Sequence, residues 1–596
     1  MTSSVSRMAQ LALENAAARF RERYIDPRAF RAAQARAKPS PLNRQWPSDP
    51  FGRVEVGRRL MSGVFSFAGV DRELSPRLMW RGDAPTLGWS EEAHGFDWLS
   101  DLAAVGDDRA AEMSWASVSG WLDQFAKYES TAWRPDLTGR RLQNWLVHAS
   151  LIAPKGPNRE TAAQALLTGL AVHEEWLRDH WTFCDPGPSR VIAAGALATA
   201  AITLKDRDAQ VVEAFARLQS ALVESLDADG ASVTRAPSDS FEILKLIATL
   251  IRFCGMSGRE VPATLEDAAR RLSRVVRFFR DLDGGLALFN GGRAYGDGRV
   301  DALAAELGVY EEIPAELPAS GFQRVREGRT QILMDVGAAP TGPAARTVHA
   351  GALSISLSVG RRRVIVGCGG GAHLDAEWAS SLRSSAAQST FVLEDISSAR
   401  PVLAARKGRG LRDEALVGPG DLTTERKEEA NGVWVLGGHN GYVATHGLSL
   451  TRRMFLSADG GDFRGEDRLE IEADGAAAFK RRMNKLRGAQ KALGAPFAVR
   501  FHLHPDVKAE MVADGEAATL QLPSGEAWVM RQSGGRLSIE PSVYIDEAGA
   551  PRDTHQIAIV GGVLERSTRV RWAFRRVGEL SQMELDVAAL LDPIAS

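Results

Sequence analysis

The sequence predicts an α+β protein of two parts, with helices in the first half and a large antiparallel β-sandwich in the second. From about residue 88 to 310, apolar residues recur at helical spacing, and Pro or Gly breaks separate the segments. Beyond Ser320 the apolar segments become short or alternating, with turn signals between them. At 596 residues the chain is too long for one ordinary core, so two large domains are expected.

Charge and cysteine content narrow the function classes. Lys plus Arg (73) nearly balances Asp plus Glu (75), so no global field favours nucleic acid or an anionic membrane. An acidic partner would therefore need a local basic patch. The three cysteines, Cys184, Cys254 and Cys368, lie far apart without a CxxC pair. This spacing is typical of buried thiols rather than of a disulfide framework or a zinc site.

Residues 1–87 are predicted to form an N-terminal arm. It contains an arginine-rich stretch from Arg19 to Arg36, which can touch phosphates or an acidic glycan, although a solvated helix face is the commoner meaning. The first twenty residues lack the continuous apolar segment of a signal peptide. The most apolar run, Val191 to Leu204, is shorter than the roughly 20 residues that span a bilayer. We expect no transmembrane segment and a cytoplasmic location, with the periplasm or cell envelope as the alternative.

Residues 88–315 are predicted to form a helical domain. Its segments have similar lengths and short connections, which suggests an array of α/α hairpins. Helices are expected at 140–152, 160–180, 190–204, 209–226, 239–254 and 263–281.

Residues 320–596 are predicted to form the β-sandwich. After His349 comes an alternating strand in which Leu353 and its apolar neighbours face one way and three serines face the other. Two further strands are expected at Arg363–Val366 and Ser389–Leu393.

Short motifs in a fixed order extend over about residues 90–575. They are HGFDWLSDL (94–102), WRPDLTGRRLQNWLVH (133–148), FFRDLDGGLALFNGG (278–292), SGFQRV (320–325), HAGALS (349–354), RSSAAQST (383–390), HNGY (439–442), GEDRL (465–469) and RFHLHP (500–505). Together they resemble the heparinase II/III family of polysaccharide lyases. The resemblance implies an incomplete (α/α) toroid followed by a β-sandwich, with the substrate cleft between them. It also implies an acidic polysaccharide or oligosaccharide as partner, no nucleic acid, and no cofactor or metal.

The reaction that the resemblance implies is β-elimination on a glycan containing uronic acid. A base must remove the C5 proton, an acid must protonate the leaving oxygen, and donors must stabilise the enolate-like intermediate. The resemblance assigns the proton transfers to His349 and Tyr295. Arg235 and Asn290 would hold and neutralise the uronate. The alternatives are a strand-end histidine bonded to backbone, a surface arginine and an Asn-Gly turn.

Further residues are candidates for contact with the sugars. His439 and Tyr442 lie in the turn-like HNGY motif and can line the cleft or simply form a hairpin. Ten of the fourteen tryptophans fall between Trp46 and Trp181, where helical spacing favours core packing. Trp133 and Trp145, together with Arg141, are the expected exceptions.

Two departures from the family pattern bear on catalysis. Ser232 and Gln388 stand where the resemblance leads one to expect histidine, and neither residue can act as a base near neutral pH. His502 and His504 share one strand face, which can ligate a metal, although structural hydrogen bonding is favoured without a third ligand.

Three functions are therefore compared. The first is a lyase, and the second is a catalytically degenerate protein that binds glycan or takes part in envelope-polysaccharide assembly. The third is a hydrolase using paired carboxylates such as Asp136 and Glu160.

Overall fold

The computed structural model describes residues 23, 25–43, 46, 51–296, 298–405, 412–420, 422–488, 494–512, 515–564 and 567–577. Helices dominate up to Leu307 and strands dominate from Glu316 onwards, so the predicted fold class is confirmed. Of the arginine-rich stretch, Arg19 and Arg21 lie outside the described residues. Arg36, at the end of the first helix, bonds to Glu175 at 3.2 Å.

The helices before the sandwich differ from the predicted segments by a few residues at most of their ends. They are α1 (Asp26–Arg36), α2 (Val54–Met61), α3 (Leu87–Gly95), α4 (Leu99–Val105), α5 (Asp108–Gln124), α6 (Pro135–Val147), α7 (Arg159–His180), α8 (Pro188–Thr203), α9 (Asp208–Ser225), α10 (Pro237–Ser257), α11 (Ala263–Phe278) and α12 (Arg299–Leu307). A small hairpin of β1 (Val64–Phe67) and β2 (Val70–Glu73) lies within the predicted arm.

Local sequence explains where the longest helices begin and how they pack. Pro135, Pro188 and Pro237 open α6, α8 and α10, at a position where the missing N–H costs nothing. Helix α8 is buried along its whole length from Val191 to Thr203 and packs against α6, α7, α9 and α10. Helix α8 therefore lies at the centre of the helical domain, which agrees with the apolar residues on all of its faces. Among the described helices, none is long and apolar enough to cross a membrane.

The second half contains two large antiparallel sheets. Its strands are β3 (Glu316–Leu317), β4 (Phe322–Glu327), β5 (Thr330–Asp335), β6 (Ile355–Val359), β7 (Arg362–Val366), β8 (Phe391–Leu393), β9 (Arg400–Ala405), β10 (Arg412–Val417), β11 (Leu422–Glu429), β12 (Gly432–His439), β13 (Leu448–Ser457), β14 (Asp462–Ile471), β15 (Ala495–Leu503), β16 (Lys508–Val512), β17 (Ala517–Gln521), β18 (Ala527–Ser533), β19 (Arg536–Ile545), β20 (Pro551–Val563) and β21 (Ser567–Val577). Short helices α13 (Ala376–Leu382), α14 (Val443–His446) and α15 (Ala476–Gly488) lie between them.

The two sheets face each other across one apolar core. The first has the order β19-β20-β15-β7-β6-β5-β4-β3, with β8 also paired to β15. The second has the order β11-β12-β13-β14-β21-β18-β17-β16. Inward-facing residues of both sheets, such as Leu357, Phe501, Leu450 and Trp572, fill the space between them.

The other face of the first sheet packs against the helical domain. Strand β6 is therefore buried on both faces, and its serines are not solvent-facing, as simple alternation would suggest. Ser358 donates to Asp281 across this junction at 3.3 Å, and Arg363 of β7 bonds to Asp283 at 2.6 Å. These hydrogen-bonded polar groups hold the helical domain against the sandwich at this junction.

Candidate functional site

A cleft lies where the helical domain, the N-terminal arm and the sandwich meet. Its two lobes have volumes of about 180 and 300 Å³. Arg140 of α6, Glu242 of α10 and Tyr295 line both lobes, and Glu547 from the β19–β20 turn adds a side chain from the sandwich. This is the position that the family resemblance implied for a substrate cleft.

Tyr295 is the phenol at the centre of this cleft. Its hydroxyl donates a hydrogen bond of 2.6 Å to Glu242, and its ring packs against Phe241 at 4.9 Å between centroids. The residue has a positive φ of 43°, a conformation that non-glycine residues rarely adopt. Burial and the neighbouring Glu242 carboxylate raise the pKa of Tyr295 well above its ordinary value.

Glu242 connects this phenol to the cations of the cleft. Arg140 donates to the other Glu242 oxygen at 3.1 Å and to Asp97 at 2.9 Å, and Lys245 lies 3.5 Å from the same carboxylate. Burial alone would raise the pKa of Glu242, but Lys245 and Arg140 together with the Tyr295 hydroxyl hold it well below its usual value. The carboxylate therefore stays charged at neutral pH.

Two other arginines of the cleft also have carboxylate partners. Arg293 bonds to Glu92 at 2.5 Å, and Arg134 is held between Asp136 and Glu91. Carboxylates outnumber cations along the walls. The carboxylates are Glu91, Glu92, Asp97, Asp101, Asp136, Asp239, Glu242 and Glu547, and the cations are Arg53, Arg134, Arg140, Lys245, Arg293 and Arg299.

His349 lies behind the cleft wall rather than on it. Gly291 lines the cleft, and a side-chain carbon at Gly291 would come within 2.9 Å of His349 Nε2. The Gln388 amide nitrogen lies 3.3 Å from His349 Nδ1, and the Gln388 amide also donates to Leu382 at 3.0 Å. Burial first, then Arg383, lowers the pKa of His349 to about 3, so its imidazole is neutral.

Asn290 and Arg235 connect the helical domain to the sandwich. The Asn290 amide donates to the Arg235 carbonyl at 3.2 Å, and its oxygen accepts from the His349 backbone N–H at 3.1 Å. The Arg235 guanidinium is buried against Asp335 and also donates to the Ser320 carbonyl at 2.8 Å. Both residues have positive φ, 51° and 60°. The polar groups of Asn290 and Arg235 are thus directed into the protein, which does not match the prediction that they hold a uronate.

The predicted sugar-contacting residues are in the core. Their exposed fractions are 0% for Arg141, Trp145 and Tyr442, 3% for Trp133 and 4% for His439. None of the five lines the cleft. Core packing and internal hydrogen bonds therefore explain these residues better than contact with sugars does.

Arg141 and Tyr442 show what these buried groups do instead. Arg141 bonds to His173 at 2.7 Å and lies 3.9 Å from the centre of the Trp121 ring. The Tyr442 hydroxyl donates to the Phe391 carbonyl at 3.1 Å.

Sequence reasoning missed Arg140, Glu242 and Arg293. Arg140 precedes the candidate Arg141, and the 100° step of a helix turns one guanidinium to the cleft and the other to the core. Glu242 could have been identified from the sequence, because it is an acidic residue inside the apolar run Phe241–Leu250. Such a charge in a buried helix stripe needs a partner and is a reason to suspect a site.

The remaining candidates have clear positions. Ser232 is fully buried and bonds to Thr234 at 2.9 Å. Glu160 is exposed on α7 and does not pair with Asp136 across the cleft. His502 bonds to Ser542 at 2.7 Å and to the Ala386 carbonyl at 2.9 Å. Within the described residues, no group of three or more His, Cys, Asp or Glu side chains is arranged to hold a metal ion.

Comparison with known proteins agrees with this architecture. The structure of heparinase III superposes with a TM-score of 0.66 at 12% identity, covering 95% of this chain and 92% of that one. A mutant of the heparan sulfate lyase HepC from Pedobacter heparinus gives 0.55 at 13% identity, covering 92% and 88%. The scaffold is therefore that of a polysaccharide lyase, with an incomplete toroid followed by a β-sandwich.

Sequence comparison gives the family. The profile of the heparinase II/III-like C-terminal domain matches residues 311–573. FtsZ-localized protein C from Caulobacter vibrioides is 31% identical over 527 residues, covering 87% of each chain. This chain belongs to the heparinase II/III-like family.

Proposed function

We propose that this protein binds a glycan strand in the cleft without cleaving it by β-elimination. The observation that carries the proposal is the hydrogen bond from Tyr295 to the charged Glu242, which is itself paired with Arg140. The Tyr295 hydroxyl and the Arg140 guanidinium are therefore already bonded to Glu242 in the absence of substrate.

The chemistry of elimination explains why this pairing matters. The base must take a proton whose acidity depends on neutralising the substrate carboxylate. Its raised pKa keeps the Tyr295 hydroxyl protonated at neutral pH, so the phenolate needed as a base is scarce, and Glu242 would repel a uronate carboxylate placed beside it. Ser232 and Gln388 also stand where the family resemblance leads one to expect two imidazoles.

The walls of the cleft favour sugars without a free carboxylate. Half-buried Phe51 borders one lobe, and an aromatic face of this kind binds the apolar face of a sugar ring. The excess of carboxylates over cations favours hydroxyl donors or amino groups on the ligand. We therefore propose a neutral or amino-sugar glycan as the ligand, in place of the acidic polysaccharide expected from the resemblance.

A turnover assay tests the absence of elimination. The protein is incubated with a panel of uronate polymers, and the ultraviolet absorbance of the unsaturated uronate product is followed. We expect no increase over a protein-free control. A steady increase that disappears in Tyr295→Phe would contradict the proposal.

A lyase is the second candidate, and one observation favours it. Tyr295 lines the cleft with a strained backbone, and rare conformations of this kind occur at active sites. In that case His349 would serve as the second proton carrier. Loss of activity in His349→Ala but not in Gln388→Ala would support this assignment, whereas full activity in His349→Ala would remove it.

The cellular location is a separate proposal. The similar Caulobacter protein is named for localisation with FtsZ. We propose that this chain also localises with FtsZ, on the cytoplasmic side of the envelope. A fluorescent fusion that forms bands coinciding with labelled FtsZ would support this. A fusion that is diffuse, or protein recovered only in the periplasmic fraction, would contradict it.

A further inference from the structure

A second pocket lies far along the first sheet, at the end where two of its hairpins turn. Its volume is about 430 Å³. Four arginines dominate its walls: Arg326 and Arg329 from the β4–β5 hairpin, and Arg361 and Arg362 from the β6–β7 hairpin. We call it the turn pocket. The other lining residues are Leu282, Gly328, Val359, Gly360 and Ser524.

Backbone contacts fix the two hairpins relative to each other. The Gly360 N–H donates to the Arg329 carbonyl at 2.7 Å. Thr330 donates to the Gly460 carbonyl at 2.6 Å, which ties the first hairpin to the opposite sheet. Gly360 has φ +60°, and a side chain there would come within 2.7 Å of the Arg329 guanidinium. The guanidinium groups are therefore carried by a framework that already has its shape before a ligand binds.

The described part of the protein leaves most of the positive charge of this pocket unneutralised. None of the described residues that line it is acidic. Arg326, Arg361 and Arg362 are exposed, and no described carboxylate lies within ion-pair distance of them. Arg329 reaches only Glu526, at 3.8 Å, with 63% of its side chain exposed. The cleft is different, because three of its arginines, Arg134, Arg140 and Arg293, are held by carboxylates.

A neighbouring group responds to this charge. Arg324 lies beside Arg326 on β4, and its pKa is lowered to about 10, first by burial and then by Arg326 and Arg277. The same repulsion disfavours four cations around one small pocket unless a bound anion offsets it.

We propose that the turn pocket binds a compact ligand that carries two or more phosphate groups. Guanidinium forks match phosphate oxygens in pairs, and all four cations are arginine rather than lysine. The pocket has no aromatic side chain to stack on a base, so the phosphates themselves are the recognised part. The size suits a pyrophosphate-containing molecule or a phosphorylated headgroup. The site is separate from the cleft and does not depend on the function proposed for it.

Binding of inorganic pyrophosphate tests the proposal. Isothermal titration at low and moderate salt is performed on the full chain and on Arg326→Gln/Arg361→Gln. We expect saturable binding by the full chain that weakens as salt rises. The double variant should bind about tenfold more weakly or worse, as expected from losing at least one charge-assisted hydrogen bond.

The matched control is Arg81→Gln/Arg109→Gln, which removes two exposed arginines outside both pockets. It should bind pyrophosphate like the unmodified chain. An equal loss in this control, no saturable binding, or unchanged binding in Arg326→Gln/Arg361→Gln would each overturn the proposal. Thermal melts confirm that both variants are folded.

Vesicles distinguish the two sources of phosphate. Sedimentation with phosphatidylcholine vesicles, with and without phosphatidylinositol phosphates, is compared for the same variants. Binding that requires the phosphorylated lipid and is lost only in Arg326→Gln/Arg361→Gln supports a headgroup as the ligand. Pyrophosphate binding without vesicle binding supports a free phosphate compound.

Discussion

The cleft and the turn pocket use the same residue type in opposite ways. In the cleft, Arg134 and Arg140 are largely covered and Arg293 is 44% exposed, and each of the three is bonded to a carboxylate. In the turn pocket, Arg326 and Arg361 are exposed and lack such partners among the described residues. An arginine that the protein has already paired maintains structure, whereas an arginine left unpaired on a rigid turn is available to a ligand. The three cleft arginines are thus more fully paired within the protein than the two of the turn pocket.

The largest expected effect is at the junction beneath the cleft. Asp335→Ala leaves the Arg235 guanidinium buried without its ionic partner. Loss of one member of a buried pair destabilises a protein by about 3–5 kcal/mol. Urea denaturation should show this loss.

Asp123→Ala is the matched control, since it opens an exposed pair with Arg77. Its effect should be at most about 1 kcal/mol. Equal losses in the free energy of unfolding would show that the buried Arg235–Asp335 pair does not stabilise the junction.

The next effect depends on pH. Burial raises the pKa of Asp239, in the cleft wall, to about 6. The folded state therefore binds this proton more tightly than the unfolded state, whose pKa is about 4. This contribution to stability is present below pH 4 and is lost as pH rises through 6. Asp239→Asn should therefore be more stable than the original chain at pH 7, by up to about 3 kcal/mol, and similar to it at pH 4.

Denaturation curves at a series of pH values test this sign. The exposed Asp395→Asn serves as the control and should leave the pH profile unchanged. An Asp239→Asn protein that is less stable at pH 7 would show that the carboxylate is needed in its charged form.

The smallest effects compare the two regions directly. Arg140→Gln removes the cation shared by Asp97 and Glu242 and should destabilise the fold by about 2 kcal/mol. Arg361→Gln should change the free energy of unfolding by no more than about 0.5 kcal/mol, because no group in the described part of the chain is paired with its side chain. Thermal melts of the two variants make the comparison. Equal losses would contradict the distinction between paired and available arginines.

The order of helices and strands could be predicted from the sequence, because periodicity and turn residues are local. The bounds of α8 and of strands β6 and β7 differ from expectation by only a few residues. The burial of both faces of β6 could not be predicted, because its serines pack on a helical domain distant in the chain.

The candidate site was less predictable for the same reason. Tyr295 lies in the cleft as expected, but its partner Glu242 is 53 residues away in sequence. Arg235 looked available because its partner, Asp335, is 100 residues further on. Pairings over such distances depend on the tertiary fold, and motifs alone do not reveal them.

The most direct test of the central claim is the affinity of the cleft for one oligosaccharide in two forms. A uronate oligosaccharide and its carboxyl-reduced counterpart are titrated against the original chain, Glu242→Gln and the distant control Glu425→Gln. We expect the reduced form to bind more tightly to the original chain and to Glu425→Gln, and Glu242→Gln to lose that preference. Tighter binding of the uronate form by the original chain, followed by its conversion to an unsaturated product, would contradict the account.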